Sequence, residues 1–97
     1  EGFDWGGIQK AIEKNQKNSS LVVLDVRTPE EFAREHLSEA LNINIHDSDF
    51  PERIAAFDRA KTYLVHCKTG GRSAAAVELM QEMGFTQVYN IIGWMFD

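Results

Sequence analysis

Residues 62–84, TYLVHCKTGGRSAAAVELMQEMG, join a short apolar segment to a long helix-forming segment through a loop with two glycines. The run 62–66 predicts a buried strand, because it is short, almost continuously apolar and rich in β-branched and aromatic residues. From Ser73 onward the residues favour a helix that stops at Gly84. Its apolar face carries Val77, Met80 and Met83, which we expect in the core. The stretch therefore predicts a strand, a loop and a helix of a layered α/β fold.

The rest of the chain alternates in the same way. We predict strands at 21–26 (LVVLDV), 41–45 (LNINI) and 87–91 (QVYNI), and helices after Asp4, from Pro29 to about Glu35 and over 49–57 (DFPERIAAF). Thr28 and Glu31 can form a capping box at the start of the second helix. Because residues 21–26 are apolar on both faces, we predict a central, mostly parallel sheet flanked by helices on both faces. At 97 residues the chain is predicted to be one domain, residues 1–97.

The composition argues against several classes of partner. Lysine and arginine number 10 against 15 acidic residues, a formal charge of −5, so nucleic-acid binding is not expected. No apolar stretch reaches the roughly 20 residues that cross a bilayer, and residues 1–4 do not resemble a signal peptide. We expect a soluble monomer that binds no membrane. Its compartment stays open between cytoplasm and periplasm.

Cys67 is the one cysteine of the chain, so it cannot form an internal disulfide. The spacing of a structural zinc site is missing, and we expect neither a metal nor an organic cofactor. Cys67 directly follows a predicted strand and precedes a helix by five or six residues. The N–H groups of such a loop converge on anions, and they can lower a cysteine pKa from about 8.5 to roughly 3.5–7.5. Cys67 is therefore a candidate nucleophile.

The loop supplies the other candidate residues of the site. They are Lys68, Thr69, Gly70, Gly71, Arg72 and Ser73. Gly70 and Gly71 permit the positive φ angles of a tight curl, and Lys68 and Arg72 can orient an anionic substrate. The alternative is a small packing cysteine beside an ordinary turn, which is the usual role of a lone buried cysteine. The combination of strand end, glycines, arginine and helix start favours the nucleophile.

The segment HCKTGGRS, residues 66–73, resembles the active-site loop of rhodanese-like sulfurtransferases, commonly C-x-x-G-x-R-S. LDVRTPEEFAREHLSEALNI, residues 24–43, is similar to the first signature of that family, and YNIIGW, residues 89–94, to its closing segment. The resemblance covers about residues 4–95 and implies a single-domain rhodanese-like fold. The chain departs from the family where EHLSE lacks the usual glycine and Pro-Gly pair, and at Ile92, which replaces a glycine.

The resemblance implies a thiosulfate sulfurtransferase-like reaction by double displacement. Cys67 would take a sulfane sulfur from a small-molecule donor such as thiosulfate and pass it, as a persulfide, to a thiol or cyanide acceptor. The family's pattern also places Arg27 near the mouth of the site. The competing interpretation of Arg27 is a solvated surface arginine.

Two other functions stay open. Cysteine phosphatases, some of which share the rhodanese fold, use His-Cys-x5-Arg as a phosphate loop, and arsenate reductases of this fold are related. Here four residues rather than five separate Cys67 from Arg72, which favours a single sulfur atom over a phosphoryl group. The other possibility is a sulfur-carrier or regulatory module without turnover.

Three further positions have predicted roles. Asp25 ends its strand and is predicted to support the loop by accepting hydrogen bonds or pairing with Arg72; otherwise it caps the next turn. His66 is expected to be packed or exposed rather than catalytic. Glu30 and Glu31 belong to the helix cap and are not an acid/base pair.

Overall fold

The computed structural model describes residues 21–37 and 39–91. Its elements are β1 (Leu21–Asp25), α1 (Pro29–Arg34), β2 (Leu41–Asn42), α2 (Phe50–Ala55), β3 (Thr62–His66), α3 (Gly71–Glu82) and β4 (Val88–Ile91). The strands pair in parallel in the order β2-β1-β3-β4. The predicted α/β fold with a parallel sheet is confirmed. The helix predicted after Asp4 lies outside the described residues.

The register brings the carboxyl ends of the strands to one edge of the sheet. Asp25 of β1 pairs with Asn42 of β2 and with His66 of β3, and His66 pairs with Ile91 of β4. The loops that follow β1 and β3 therefore start side by side. Open parallel sheets bind their ligands at this edge.

The core lies on both faces of the sheet because strand side chains alternate. One face packs under α2 and α3 and contains Leu24, Tyr63, Val65, Phe50, Ile54, Ala76 and Met80. The other face contains Val23, Leu64 and Ile91 with Leu37. Met80 is fully buried, while Val77 and Met83 are partly buried against the same core, as the spacing of α3 predicts.

Several element boundaries follow from local hydrogen bonding. The capping box of Thr28 and Glu31 is present. Gly84 ends α3 with a φ of +99°, as predicted. The strand predicted at 41–45 is limited to two residues, because the side chain of Asn44 accepts the amide of His46 at 3.0 Å and turns the chain.

Two other boundaries differ from the prediction. α3 begins at Gly71, two residues before Ser73, and α2 is shorter than 49–57. Glu39 has a φ of +67° in the segment where the family usually has glycine, so a non-glycine residue takes a left-handed conformation there. Among residues 21–37 and 39–91, no helix is long and apolar enough to cross a membrane.

Candidate active site

Cys67 lies at the carboxyl edge of the sheet, directly after β3. The chain turns from β3 into α3 at Gly70, whose φ is +94°. Glycine adopts this conformation without the steric penalty of a Cβ atom. Gly71 is the first residue of α3 and does not have a positive φ, so the expectation of two such glycines holds for Gly70 and not for Gly71.

Donors of the loop and helix surround the sulfur of Cys67. The amide of Gly70 donates to Sγ at 3.1 Å and the amide of Ser73 donates at 3.3 Å. Ser73 is in the first turn of α3, where backbone N–H groups have no partner within the helix. The Ser73 hydroxyl also lies 3.4 Å from Sγ. The fold therefore concentrates partial positive charge at this sulfur.

Two opposing effects set the acidity of Cys67. Burial raises its pKa, because a thiolate loses hydration. A hydrogen bond from the Ser73 hydroxyl, when it faces the sulfur, and hydrogen bonds from the amides of Ser73, Gly70 and Thr69 lower the pKa. The hydrogen bonds outweigh burial, so the pKa of Cys67 lies below the ordinary value of a cysteine.

Cys67 is fully buried, with 0% of its surface exposed. Packing cysteines are buried too, but their sulfur behaves as a small apolar group. The Cys67 sulfur instead accepts two backbone N–H groups, so its burial does not favour the packing role.

Arg72 is paired with Glu31 of α1. Its Nη1 and Nη2 donate to the two carboxylate oxygens at 2.8 and 3.1 Å. Hydrogen bonding to Arg72 lowers the pKa of Glu31 to about 2, although partial burial opposes the change. The charge of Arg72 is thus balanced by Glu31, whereas Lys68 is exposed in the loop. The sequence predicted the cap role of Glu31 but not this second contact.

Asn90 of β4 is a further residue at the site, and no sequence motif identifies it. Its side chain contacts Ser73 and the carbonyl of Gly70. The parallel register pairs Asn90 with Val65, two residues before Cys67. This pairing places the side chains of β4 beside the loop. A predicted register between β3 and β4 could therefore have identified Asn90.

Asp25 pairs with Arg27 instead of Arg72. Arg27 Nε and Nη2 donate to the carboxylate at 2.9 and 2.8 Å, and the Arg27 amide donates at 3.0 Å. The contact predicted between Asp25 and Arg72 is therefore wrong, and Asp25 caps the turn that follows β1. Arg27 is 4% exposed and also donates to the Glu35 carbonyl at 2.7 Å, so it is not a solvated surface arginine.

His66 is packed beside this ion pair. Its Nε2 lies 3.7 Å from Asp25 Oδ2, and the ring is fully buried. Burial lowers the pKa of His66 to about 4, the charge of Asp25 opposes this, and Arg27 lowers it further. His66 is thus neutral at pH 7. Across residues 21–37 and 39–91, no three His, Cys, Asp or Glu side chains are placed to hold a metal ion.

The buried neutral histidine predicts a loss of stability in mild acid. An unfolded chain protonates His66 near its ordinary pKa of about 6.5, whereas the folded chain resists protonation until about 4. Unfolding therefore takes up a proton in this window, and the unfolding free energy should fall by about 2 kcal/mol between pH 7 and pH 4.5. Urea denaturation across this pH range measures the change.

A matched pair of variants identifies the histidine responsible for this loss. His66→Gln should remove most of the loss, and His46→Asn, at an exposed position, should retain it. Glu31 does not obscure this effect. Because its pKa in the folded protein is lowered, its contribution to the unfolding free energy is lost mainly below about pH 4.5. An unchanged pH dependence in His66→Gln would show that another group is responsible.

Comparison with known proteins places this geometry in a family. The family model described as Rhodanese-like domain matches residues 8–95. Thiosulfate sulfurtransferase PspE of Escherichia coli (strain K12) is 40% identical over 72 residues, which cover 72% of this chain and 67% of that protein.

Solved structures show the same likeness. A rhodanese-related protein from Thermoplasma volcanium has a TM-score of 0.69 and 35% identity, covering 84% of this chain and 77% of that chain. A rhodanese with anions from E. coli has a TM-score of 0.65 and 36% identity, covering 75% of this chain and 86% of that chain. The sequence and the fold are thus similar to those of rhodanese-like proteins.

Proposed function

Because the chain belongs to the rhodanese-like domain family, we propose that it is a sulfurtransferase in which Cys67 carries the transferred sulfur as a persulfide. The observation that supports this most directly is the pair of amide N–H groups, from Gly70 and Ser73, on the Cys67 sulfur. Donors fixed in this way stabilise the thiolate that attacks the sulfur donor. The relative named thiosulfate sulfurtransferase supports thiosulfate as the sulfur donor.

The proposed reaction has two displacement steps. The Cys67 thiolate attacks the outer sulfur of thiosulfate, and the sulfur–sulfur bond of the donor breaks. Sulfite leaves with the bonding electron pair, and Cys67 becomes a persulfide. A cyanide or thiolate acceptor then attacks the outer sulfur of that persulfide, which yields thiocyanate or a new persulfide and restores the Cys67 thiolate.

The charges around the loop suggest separate roles for its two cations. Arg72 is held by both carboxylate oxygens of Glu31, so it ties the start of α3 to α1. Lys68 is exposed and adjacent to Cys67, so it is the better placed to attract a dianionic donor.

The geometry supports sulfur more than phosphate as the group transferred. The Gly70 and Ser73 amides reach the Cys67 sulfur itself at hydrogen-bonding distance. A phosphoryl group bonded to sulfur needs donors farther out, around its three oxygens. The short loop, with four residues between Cys67 and Arg72, agrees with the smaller group.

Intact-mass analysis tests the proposal. After incubation with excess thiosulfate, the protein should gain one sulfur atom, and subsequent cyanide should remove it. Cys67→Ala is the control and should gain no sulfur, because Cys67 is the one cysteine of the chain. A parallel assay with an aryl phosphate tests the phosphatase alternative.

The outcomes separate the three functions. A single gain of sulfur without repeated conversion of thiosulfate and cyanide to thiocyanate would indicate a carrier module. Aryl phosphate hydrolysis without sulfur gain would indicate a phosphatase. Failure of both assays, with a thiol that resists alkylation, would show that Cys67 is a packing residue.

A further inference from the structure

Asn90 forms two hydrogen bonds with the Cys67 loop from the neighbouring strand. Its Oδ1 lies 2.5 Å from the Ser73 Oγ, and its Nδ2 donates to the Gly70 carbonyl at 3.3 Å. Gly70 and Ser73 are the two residues whose amides donate to the Cys67 sulfur. Asn90 therefore contacts both residues that supply these amides.

The contact with Gly70 determines which way the Asn90 amide faces. A carbonyl oxygen has no proton, so the Asn90 atom beside it must be the NH2 group. The oxygen of Asn90 then faces Ser73 and accepts its hydroxyl proton. The amide of Ala74 also donates to the Gly70 carbonyl, at 3.0 Å, so both lone pairs of that oxygen are in use.

The hydroxyl of Ser73 has one proton but three acceptors within reach. They lie at 2.5 Å (Asn90 Oδ1), 3.2 Å (the Gly70 carbonyl) and 3.4 Å (Cys67 Sγ). The Gly70 carbonyl already has two donors, and Asn90 is the nearest acceptor. The proton thus lies on the side of Asn90, and the hydroxyl turns a lone pair toward the sulfur.

We propose that Asn90 is a positioning residue that withholds the Ser73 hydroxyl proton from the Cys67 sulfur. In the thiol form, the S–H of Cys67 can donate a hydrogen bond to the Ser73 oxygen, and the Ser73 hydroxyl donates in turn to Asn90. In the thiolate form, Ser73 can donate to sulfur only by breaking its bond with Asn90. Asn90 therefore favours the thiol over the thiolate.

This inference rests on the proposed function for its chemical meaning. A thiolate becomes a weaker nucleophile as its pKa falls, and attack is fastest when the pKa is near the ambient pH. Two backbone amides already favour the thiolate of Cys67. Because Asn90 keeps the Ser73 hydroxyl from donating to the sulfur, Cys67 can still ionise, and its pKa does not fall so far that the thiolate becomes a weak nucleophile.

Titration of Cys67 tests the role of Asn90. The ultraviolet absorbance of the thiolate is followed against pH, with Cys67→Ala as the blank. In the wild-type protein, Ser73→Ala should leave the Cys67 pKa nearly unchanged. Asn90→Leu should lower that pKa by about one unit, because the freed hydroxyl then donates to the thiolate. In the Asn90→Leu background, Ser73→Ala should raise it again by about one unit.

A purely structural role of Asn90 predicts a different pattern. The proposal is wrong if Ser73→Ala changes the Cys67 pKa equally in the wild-type and Asn90→Leu proteins. It is also wrong if Ser73→Ala raises the Cys67 pKa of the wild-type protein by about one unit. Asn90→Ala is measured in parallel and should also lower the pKa. If neither Asn90 variant folds, Ser73→Ala alone decides: an unchanged pKa supports the proposal and a raised one refutes it. No sulfur donor is used, so this test can fail while persulfide formation succeeds, and the reverse.

Discussion

Replacing Gly70 by alanine is expected to slow sulfur loading of Cys67 about 100-fold, the effect of removing one preorganised donor from a charged reaction centre. Gly70 is buried and has a φ of +94°, where an alanine Cβ is strained by about 1–2 kcal/mol. The chain relieves this strain by changing φ, which turns the Gly70 amide away from Sγ. The measurement is the rate of sulfur gain from thiosulfate by intact mass.

Gly71→Ala is the matched control for this prediction. Gly71 is exposed, has no positive φ, and an added Cβ would meet nothing within 4 Å. Alanine also suits a helix better than glycine does. Gly71→Ala should therefore load sulfur within about twofold of the wild-type rate, given the small effects of unhindered surface substitutions. Equal rates for the two variants would show that the Gly70 amide does not support the reaction.

The parts of the fold that the sequence predicted well are those determined by neighbours in the chain. The bounds of β3 were predicted without error, and so were the capping box of Thr28 and Glu31 and the stop at Gly84. Each depends on residues within one helical turn or one short strand, so local physical chemistry is sufficient. The parallel direction of the strands follows from their alternation with helices.

The contacts that the sequence did not predict join residues far apart in the chain. Glu31 and Arg72 are 41 positions apart, and Ser73 and Asn90 are 17 apart. Any of several carboxylates could have paired with Arg72, and the choice depends on where α1 packs relative to the loop. Pairing with Arg72 is one of the contacts that the sequence suggests for Asp25. A partner two residues away, Arg27, was nearer in space and in sequence.

These distant contacts are concentrated around the sulfur. Glu31 holds the side chain of Arg72, and Asn90 holds the Gly70 carbonyl and the Ser73 hydroxyl. The loop motif therefore determines which atoms can donate hydrogen bonds to the sulfur. Contacts from α1 and β4 determine the directions in which those atoms point. A loop of this composition without such support would have no fixed direction for its donors.

Asp25→Ala is expected to lower the unfolding free energy by about 3–5 kcal/mol, the usual effect of removing one partner of a buried ion pair. Asp25 is fully buried and Arg27 is 4% exposed, so water cannot replace the lost carboxylate. The Arg27 guanidinium and the turn after β1 would both lose hydrogen bonds. Urea denaturation at pH 7 measures the loss.

Two further variants test whether the loss of stability comes from the unpaired buried charge of Arg27 or would follow from the loss of any acidic side chain. Asp49 is exposed and makes no capping hydrogen bond, so Asp49→Ala should change stability by less than about 0.5 kcal/mol. Adding Arg27→Met to Asp25→Ala should recover part of the loss, because it removes the charge left without its carboxylate. If the double variant is less stable than Asp25→Ala alone, Arg27 stabilises the fold through contacts other than Asp25, and an unpaired charge is not the cause of the loss.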